Sequence, residues 1–206
     1  MKKLESSLKN MLLVLTGITV ISVGLLAYVN ELTKDIIVEA NKKALNEALK
    51  SVVPEFTNNP VGECDTLFSE KDGKKTVDFI VYPAKNGDQL VGVAIESVSL
   101  GFGGELKVLV GFDAEGNIYD YSLLSHSETP GLGSKAADWF KEGNKGSIKG
   151  LNPGKKPLTV SKDGGEIDAI TASTVTSRAF LSAVNKAYAA YKGNTDGTTS
   201  ATQTEN

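Results

Sequence analysis

The hydrophobic and polar positions change pattern several times along the chain, and the first pattern is an unbroken apolar run. Residues 11–29 contain no charged side chain over 19 positions. An α-helix rises about 1.5 Å per residue, so this run can cross a bilayer core of about 30 Å. It is longer than the apolar part of a typical signal peptide, and no A-x-A cleavage site follows it. We therefore predict an uncleaved transmembrane anchor over 11–29, preceded by a short segment, 1–10.

The next pattern predicts an amphipathic connecting helix over 30–53. Apolar residues recur at intervals of four from Leu32 to Ala48, as in a helix with one buried face. Pro54 is expected to end it. Lysines before the anchor predict a cytoplasmic N-terminus, which places the chain after residue 30 on the outer side of the membrane. Lysines at positions 34, 42 and 43 weaken that bias, so the inverse topology stays open.

From about residue 60 to residue 126, β-branched and aromatic residues alternate with glycine-containing turns. Such segments predict strands joined by hairpins, and therefore an antiparallel sheet. The predicted strands cover 77–81, 90–98, 106–112 and 118–124.

The rest of the chain predicts helices and loops. A short helix is expected around Ala136–Phe140, a loop-rich stretch over 143–166, and a last helix from Val175 to Tyr191 that Gly193 ends. Residues 193–206 are polar and predict a disordered tail. The fold class is therefore α+β: a single N-terminal transmembrane helix followed by one domain, 54–192, of antiparallel sheet plus helices.

The composition limits the kinds of ligand and cofactor that the chain is expected to bind. The net charge is −3, and the sequence contains one histidine, His126, and one cysteine, Cys64. There is no basic stripe to indicate nucleic acid, and the residue set disfavours a metal site or a disulfide. Any redox chemistry must then come from an organic cofactor. We interpret Cys64 as an unreactive structural thiol, His126 as a structural histidine and Trp139 as a core residue.

One segment is unusually rich in hydroxyl groups. Five hydroxyl side chains occupy the seven positions from Thr171 to Ser177, directly before the last predicted helix. The start of a helix favours an anion because its first amide groups are unpaired and the helix dipole is positive there. The alternative is a helix cap with nothing bound. Arg178, one turn after Thr174, either pairs with such an anion or is an ordinary solvated residue.

Two segments together resemble a known family. SHSETPGLGSK, residues 125–135, and DAITASTVTS, residues 168–177, are similar to the two signature segments of the FMN-binding domain. That domain occurs in the G subunit of the Rnf electron-transport complex, which this chain resembles most in length, and in the C subunit of the sodium-translocating NADH:quinone reductase. The residues that match the second signature are Asp168, Thr171, Ala172 and Thr174. Ser173 departs from it, because alanine is usual there.

The resemblance implies that FMN is attached covalently to Thr174 through a phosphoester bond, which would make the chain a phosphoprotein. A dedicated flavin transferase would make the bond, and the departure at Ser173 leaves that residue as an alternative acceptor. We expect further cofactor-binding residues in both segments. They are Thr171, Ala172, Ser173, Thr176 and Ser177 around the phosphate, and Glu128, Thr129, Gly131, Leu132 and Gly133 around the flavin ring.

The resemblance also implies a function. The chain would be an electron-carrier subunit, with no catalytic residues of its own, in a complex that couples electron transfer between ferredoxin and NAD to ion translocation. Its partners would be the other membrane, iron–sulfur and flavin subunits, and it would lie in the bacterial inner membrane with its domain in the periplasm. The alternatives are a non-redox membrane-anchored binding module and a stand-alone anchored flavoprotein.

Overall fold

The computed structural model describes residues 8–71 and 74–195, which form two units divided between Ala44 and Leu45. Helix α1, Leu8–Val52, is continuous over 45 residues. The predicted anchor and connecting helix are therefore parts of one helix. Among the described residues, α1 is the one helix long and apolar enough to cross a membrane. The large apolar side chains of its membrane-crossing part are exposed, as expected for a helix surrounded by lipid.

The second unit contains a five-stranded antiparallel sheet. The strands are β1 (Asp65–Lys71), β2 (Lys74–Asn86), β3 (Gln89–Leu100), β4 (Glu105–Asp113) and β5 (Ile118–His126). They pair in sequence order, as a simple meander. The four predicted strands are confirmed as parts of β2 to β5, whereas the sequence pattern does not predict β1 as a separate strand.

The helices after the sheet are the short α2, Ala136–Trp139, and the long α3, Thr174–Thr195. A 3-10 turn, Ser161–Asp163, lies in the loop-rich stretch between them. The prediction that Gly193 ends the last helix is wrong, because α3 continues to Thr195. A glycine costs a helix only about 1 kcal/mol, and the buried Ala190 and Tyr191 hold the preceding turn on the core. The rest of the predicted tail, 196–206, lies outside the described residues.

The two faces of the sheet carry separate cores. On one face, side chains such as Ile95 and Phe112 pack against Phe180 and Val184 of α3. The ring of Phe140 stacks on Phe180 with centroids 4.3 Å apart. This packing fixes α3, and with it the segment that precedes it, against the sheet.

The other face of the sheet is covered by the last turns of α1. Leu49 and Val52 are buried there with Tyr82 and Leu109. Gly111 permits the contact, because a Cβ at that position would lie 1.6 Å from the Val52 carbonyl oxygen. The compact unit thus begins at Leu45, whereas the sequence pattern places the start of the domain at residue 54.

Candidate functional site

The hydroxyl-rich segment folds as a tight turn that leads into α3. The Ser173 amide donates to the Ile170 carbonyl over 3.0 Å. Ala172 has a φ of +62° and is the non-glycine residue with a left-handed backbone among the described residues. The left-handed backbone conformation costs an L-residue about 1–2 kcal/mol, and the small side chain of alanine adds little to that cost. The turn therefore delivers Thr174 to the first position of α3.

Ser177 holds this turn from behind. Its Oγ accepts a hydrogen bond from the Ile170 amide at 2.9 Å and donates to the Ser173 carbonyl at 3.0 Å. Ser177 is fully buried. Both capacities of this hydroxyl are used inside the protein, so Ser177 supports the turn.

A buried carboxylate joins the two signature segments. Glu128 is 5 % exposed, and its Oε2 accepts a hydrogen bond from the Thr176 hydroxyl at 2.7 Å. Its Oε1 accepts from the Gly103 amide at 3.2 Å, in the loop between β3 and β4. A Cβ on Gly133 would lie 2.4 Å from Glu128 Oε2. Glu128 thus connects its own loop with the β3–β4 loop and the start of α3, and a glycine is needed at position 133, where the chain passes the carboxylate.

These segments line a pocket of about 430 Å³. It contains eight of the eleven residues that the sequence predicts as cofactor-binding: Glu128, Thr129, Leu132, Gly133, Ala172, Ser173, Thr174 and Thr176. Two segments that are about forty residues apart in sequence therefore form one site. The other three predicted residues, Thr171, Gly131 and Ser177, do not line this pocket.

The two remaining lining residues are apolar and were missed by sequence reasoning. Phe102 is 75 % exposed, and Val175 is about half exposed. Phe102 lies between glycines whose pattern indicates only a break between strands. The sequence offered no signal for Phe102 beyond an aromatic residue between glycines, and its exposure is visible only in the structure. With Leu132, these side chains give the pocket an apolar rim.

Thr174 and Ser173 differ in accessibility. Both residues line the pocket, but Thr174 is half-buried, while Ser173 is only 8 % exposed. The Thr174 hydroxyl accepts a hydrogen bond from the Lys162 ammonium, with 3.2 Å between Nζ and Oγ1. Lys162 was not predicted, because its distance of twelve residues from Thr174 matches no helical or strand spacing.

Arg178 pairs with a carboxylate of the protein, whereas the sequence suggested an anion bound at the start of the helix. Its guanidinium donates two hydrogen bonds to the Asp163 carboxylate, at 2.6 and 2.7 Å. These bonds hold the pKa of Asp163 below its ordinary value and raise the pKa of Arg178. The pair ties the 3-10 turn at Ser161–Asp163 to α3 on the turn after Thr174. Arg178 is thus an anchor for the loop that carries Lys162.

The other residues considered in the sequence, His126, Trp139 and Cys64, do not line the pocket. His126 ends β5, and its Nδ1 accepts from the Glu128 amide at 3.2 Å, which supports the structural interpretation. Trp139 packs on the core and donates from Nε1 to the Asp168 carbonyl at 2.8 Å. Cys64 is exposed, so the expectation of a structural thiol is wrong. Among the described residues, no group of three or more His, Cys, Asp or Glu is placed to hold a metal.

Comparison with known proteins identifies what this arrangement belongs to. The family model of the FMN-binding domain matches residues 101–189, and that of the RnfG N-terminal region matches residues 1–52. The G subunit of the ion-translocating oxidoreductase complex of Shewanella amazonensis is 34 % identical over 189 residues, 88 % of this chain and 86 % of the relative. The corresponding protein of Vibrio vulnificus is 38 % identical over 168 residues, 78 % of each chain. The chain belongs to this G-subunit family.

The two family matches correspond to the N-terminal helix and to the part of the second unit that contains the pocket. The RnfG N-terminal region ends at residue 52, the last residue of α1. The FMN-binding match begins at residue 101, one position before Phe102, and includes every residue that lines the pocket. The resemblance inferred from residues 125–135 and 168–177 is therefore confirmed, and the α+β fold class with it.

The pocket of this G-subunit family member fits an FMN group. Its volume lies in the usual range of about 300–1,000 Å³ for small-ligand sites. Phe102, Leu132 and Val175 offer apolar surface of the kind that covers an aromatic ring. The start of α3 suits the phosphate of FMN, because the free amide groups and the dipole of a helix favour an anion there.

Proposed function

We propose that this chain is a membrane-anchored electron-transfer subunit that carries FMN as a phosphoester on Thr174. The observation that supports this most is the single pocket that contains residues of both signature segments, with Thr174 among the residues that line it. When bound, FMN supplies one- and two-electron carriage. The chain's own residues would hold the phosphate at the start of α3 and cover the ring with the apolar rim.

Thr174 is the preferred acceptor over Ser173 for a geometric reason. A second enzyme must reach the acceptor hydroxyl. Both residues line the pocket, but Thr174 is half-buried whereas Ser173 is buried. Small neighbours, Ala172 and Ser173, leave the backbone approachable. We propose that a flavin transferase makes the bond, as the family resemblance implies.

The test is co-expression of the chain with a flavin transferase, followed by denaturing electrophoresis and in-gel flavin fluorescence. We expect a fluorescent band for the natural sequence and for Ser173→Ala, and none for Thr174→Ala. Ser182→Ala is the control and should stay fluorescent, because Ser182 is a hydroxyl residue of α3 that does not line the pocket. A fluorescent Thr174→Ala band would contradict the proposal, as would a dark band for the natural sequence.

We further propose that the subunit works in a multi-subunit complex of the bacterial inner membrane that couples electron transfer between ferredoxin and NAD to ion translocation. The named relatives are subunits of an ion-translocating oxidoreductase complex. The neighbouring subunits, including iron–sulfur and other flavin subunits, would pass electrons to and from this site. Co-purification of those subunits with the tagged chain in mild detergent tests membership, and its isolation alone would contradict it.

The domain is proposed to lie on the periplasmic side. Cys64 offers a direct probe, because it is the single cysteine of the chain and is exposed. A membrane-impermeant maleimide should label it in cells whose outer membrane has been permeabilised. Labelling that requires lysis of the inner membrane would establish the inverse topology. Cys64→Ser serves as the blank.

A further inference from the structure

The acceptor hydroxyl has a cationic neighbour that neither signature segment contains. Lys162 Nζ lies 3.2 Å from Thr174 Oγ1. An ammonium has three donors and no acceptor, so Lys162 donates and the hydroxyl oxygen accepts. Among the described residues that line the pocket, the ionisable side chain is the carboxylate of Glu128. The positive charge nearest to the site of attachment is therefore supplied from outside the pocket, by Lys162.

The loop that carries Lys162 is held in place independently of any ligand. The Ser161 amide donates to the Ile167 carbonyl at 2.8 Å, and the Asp163 amide donates to the Val160 carbonyl at 2.9 Å. Asp163 in turn accepts the two hydrogen bonds from Arg178. The residues on both sides of Lys162 are thus fixed, one to the core of the domain and one to α3.

The same ion pair decides which cation can serve the phosphate. Arg178 is on the turn of α3 after Thr174, but its guanidinium is already bound in bidentate geometry by Asp163. Such fork-to-fork pairs are the stronger class of charged hydrogen bonds. Lys162 has its ammonium on the acceptor oxygen itself. The two cations therefore have different duties: Arg178 fixes the loop, and Lys162 faces the acceptor.

We propose that Lys162 is the positioning and charge-pairing residue for the phosphoester at Thr174, an inference that rests on the proposed function. The transfer forms a bond from Thr174 Oγ to the flavin-side phosphorus of FAD and breaks that phosphorus–oxygen bond to AMP. AMP leaves with the electron pair, and the hydroxyl proton passes to solvent or to a base of the transferase. Lys162 steadies the oxygen as it loses its proton, then pairs with the single negative charge of the phosphodiester.

This role predicts a salt-dependent effect. Lys162 is exposed, and interactions between exposed charges weaken as the ionic strength rises. A hydrogen bond to a charged group contributes enough for its loss to slow the transfer about tenfold at low salt. The effect should shrink at high salt, whereas a merely structural role for Lys162 would give a loss that salt does not change.

The experiment measures the initial rate of flavin incorporation into the purified full-length chain, using a flavin transferase, FAD and magnesium, at low and high salt. The variants are Lys162→Met, Lys162→Arg and the control Lys155→Met, which removes the same charge from another exposed loop residue. We expect about a tenfold loss for Lys162→Met at low salt, recovery for Lys162→Arg, and no change for the control. In the loaded protein, the ³¹P resonance should shift for Lys162→Met and not for Lys155→Met.

The outcomes separate this inference from the proposed function. If Thr174→Ala abolishes incorporation while Lys162→Met keeps the natural rate and the natural ³¹P resonance, Lys162 has no such role and the proposed function stands. If the natural chain is not flavinylated, the proposed function itself fails. It also fails if the Thr174→Ala chain is flavinylated. Thermal unfolding of the unloaded variants checks that they are folded. The inference would be overturned if the Lys162→Met chain incorporates flavin slowly at a rate that salt does not change and also unfolds at a lower temperature.

Discussion

The buried contact between Glu128 and Thr176 is the part of the site whose removal has the most predictable consequence. Thr176 is 1 % exposed, and its hydroxyl donates to Glu128 Oε2 over 2.7 Å. Thr176→Val replaces the hydroxyl with a methyl group of nearly the same size. It leaves the packing in place and removes the donor, so Glu128 keeps the single contact from the Gly103 amide.

The magnitude follows from the burial of the carboxylate. A hydrogen bond to a charged group contributes about 1.5–3 kcal/mol, and an unpaired buried acceptor adds its desolvation cost. We therefore expect Thr176→Val to lower the free energy of unfolding by about 2–3 kcal/mol. In a chain of this length each kcal/mol shifts the Tm by about 2–4 °C, so the Tm should fall by about 4–12 °C.

Thermal unfolding of the detergent-solubilised, unloaded protein by circular dichroism measures this shift. Thr176→Ser keeps the donor and is the matched control, with a loss well below that of valine. A double-mutant cycle with Glu128→Gln should show coupling of more than about 0.5 kcal/mol, the limit for independent sites. A Thr176→Val protein that melts with the natural one, or purely additive losses in the cycle, would refute the claim that this contact joins the two segments.

Three further predictions concern the same domain. Gly133→Ala should lower flavin incorporation severalfold, because its Cβ would lie 2.4 Å from Glu128 Oε2, and in-gel fluorescence would show it. Gly111→Ala should destabilise the domain by at least about 3 kcal/mol in urea titrations, since its Cβ would meet the Val52 carbonyl oxygen at 1.6 Å. Burial raises the pKa of Tyr121, so the unfolded chain loses that proton first as pH rises. The resulting stability is present below about pH 10 and is lost above it. Tyr121→Phe should flatten the alkaline decline, and an unchanged slope would contradict this.

Much of the fold was predictable because its signals are local. The apolar run of 11–29 specifies a helix by length alone, and turn residues such as Gly87 with its φ of +62° separate the strands. The continuity of α1 through residue 52 was less visible, since an anchor and an amphipathic helix differ in pattern but share one backbone. Strand β1 was missed because its sequence, DTLFSEK, alternates weakly.

The candidate site was predictable only in part for a related reason. The two signature segments are contiguous in sequence and could be recognised, whereas Lys162 and Phe102 reach the site through tertiary structure. No spacing rule joins Lys162 to Thr174, because the loop between them turns back on itself. The pairing of Arg178 with Asp163 likewise depends on where the 3-10 turn docks, which neither helix periodicity nor charge pattern specifies.

The bond between Thr174 and FMN is the central feature proposed for this protein. Peptide-level mass spectrometry of the chain purified after co-expression with a flavin transferase tests it directly, because fragmentation assigns the added mass to one residue between Thr171 and Ser177. We predict the mass of FMN, less one water, on Thr174 alone. The same mass on Ser173, or flavin that is released completely on denaturation, would contradict the account.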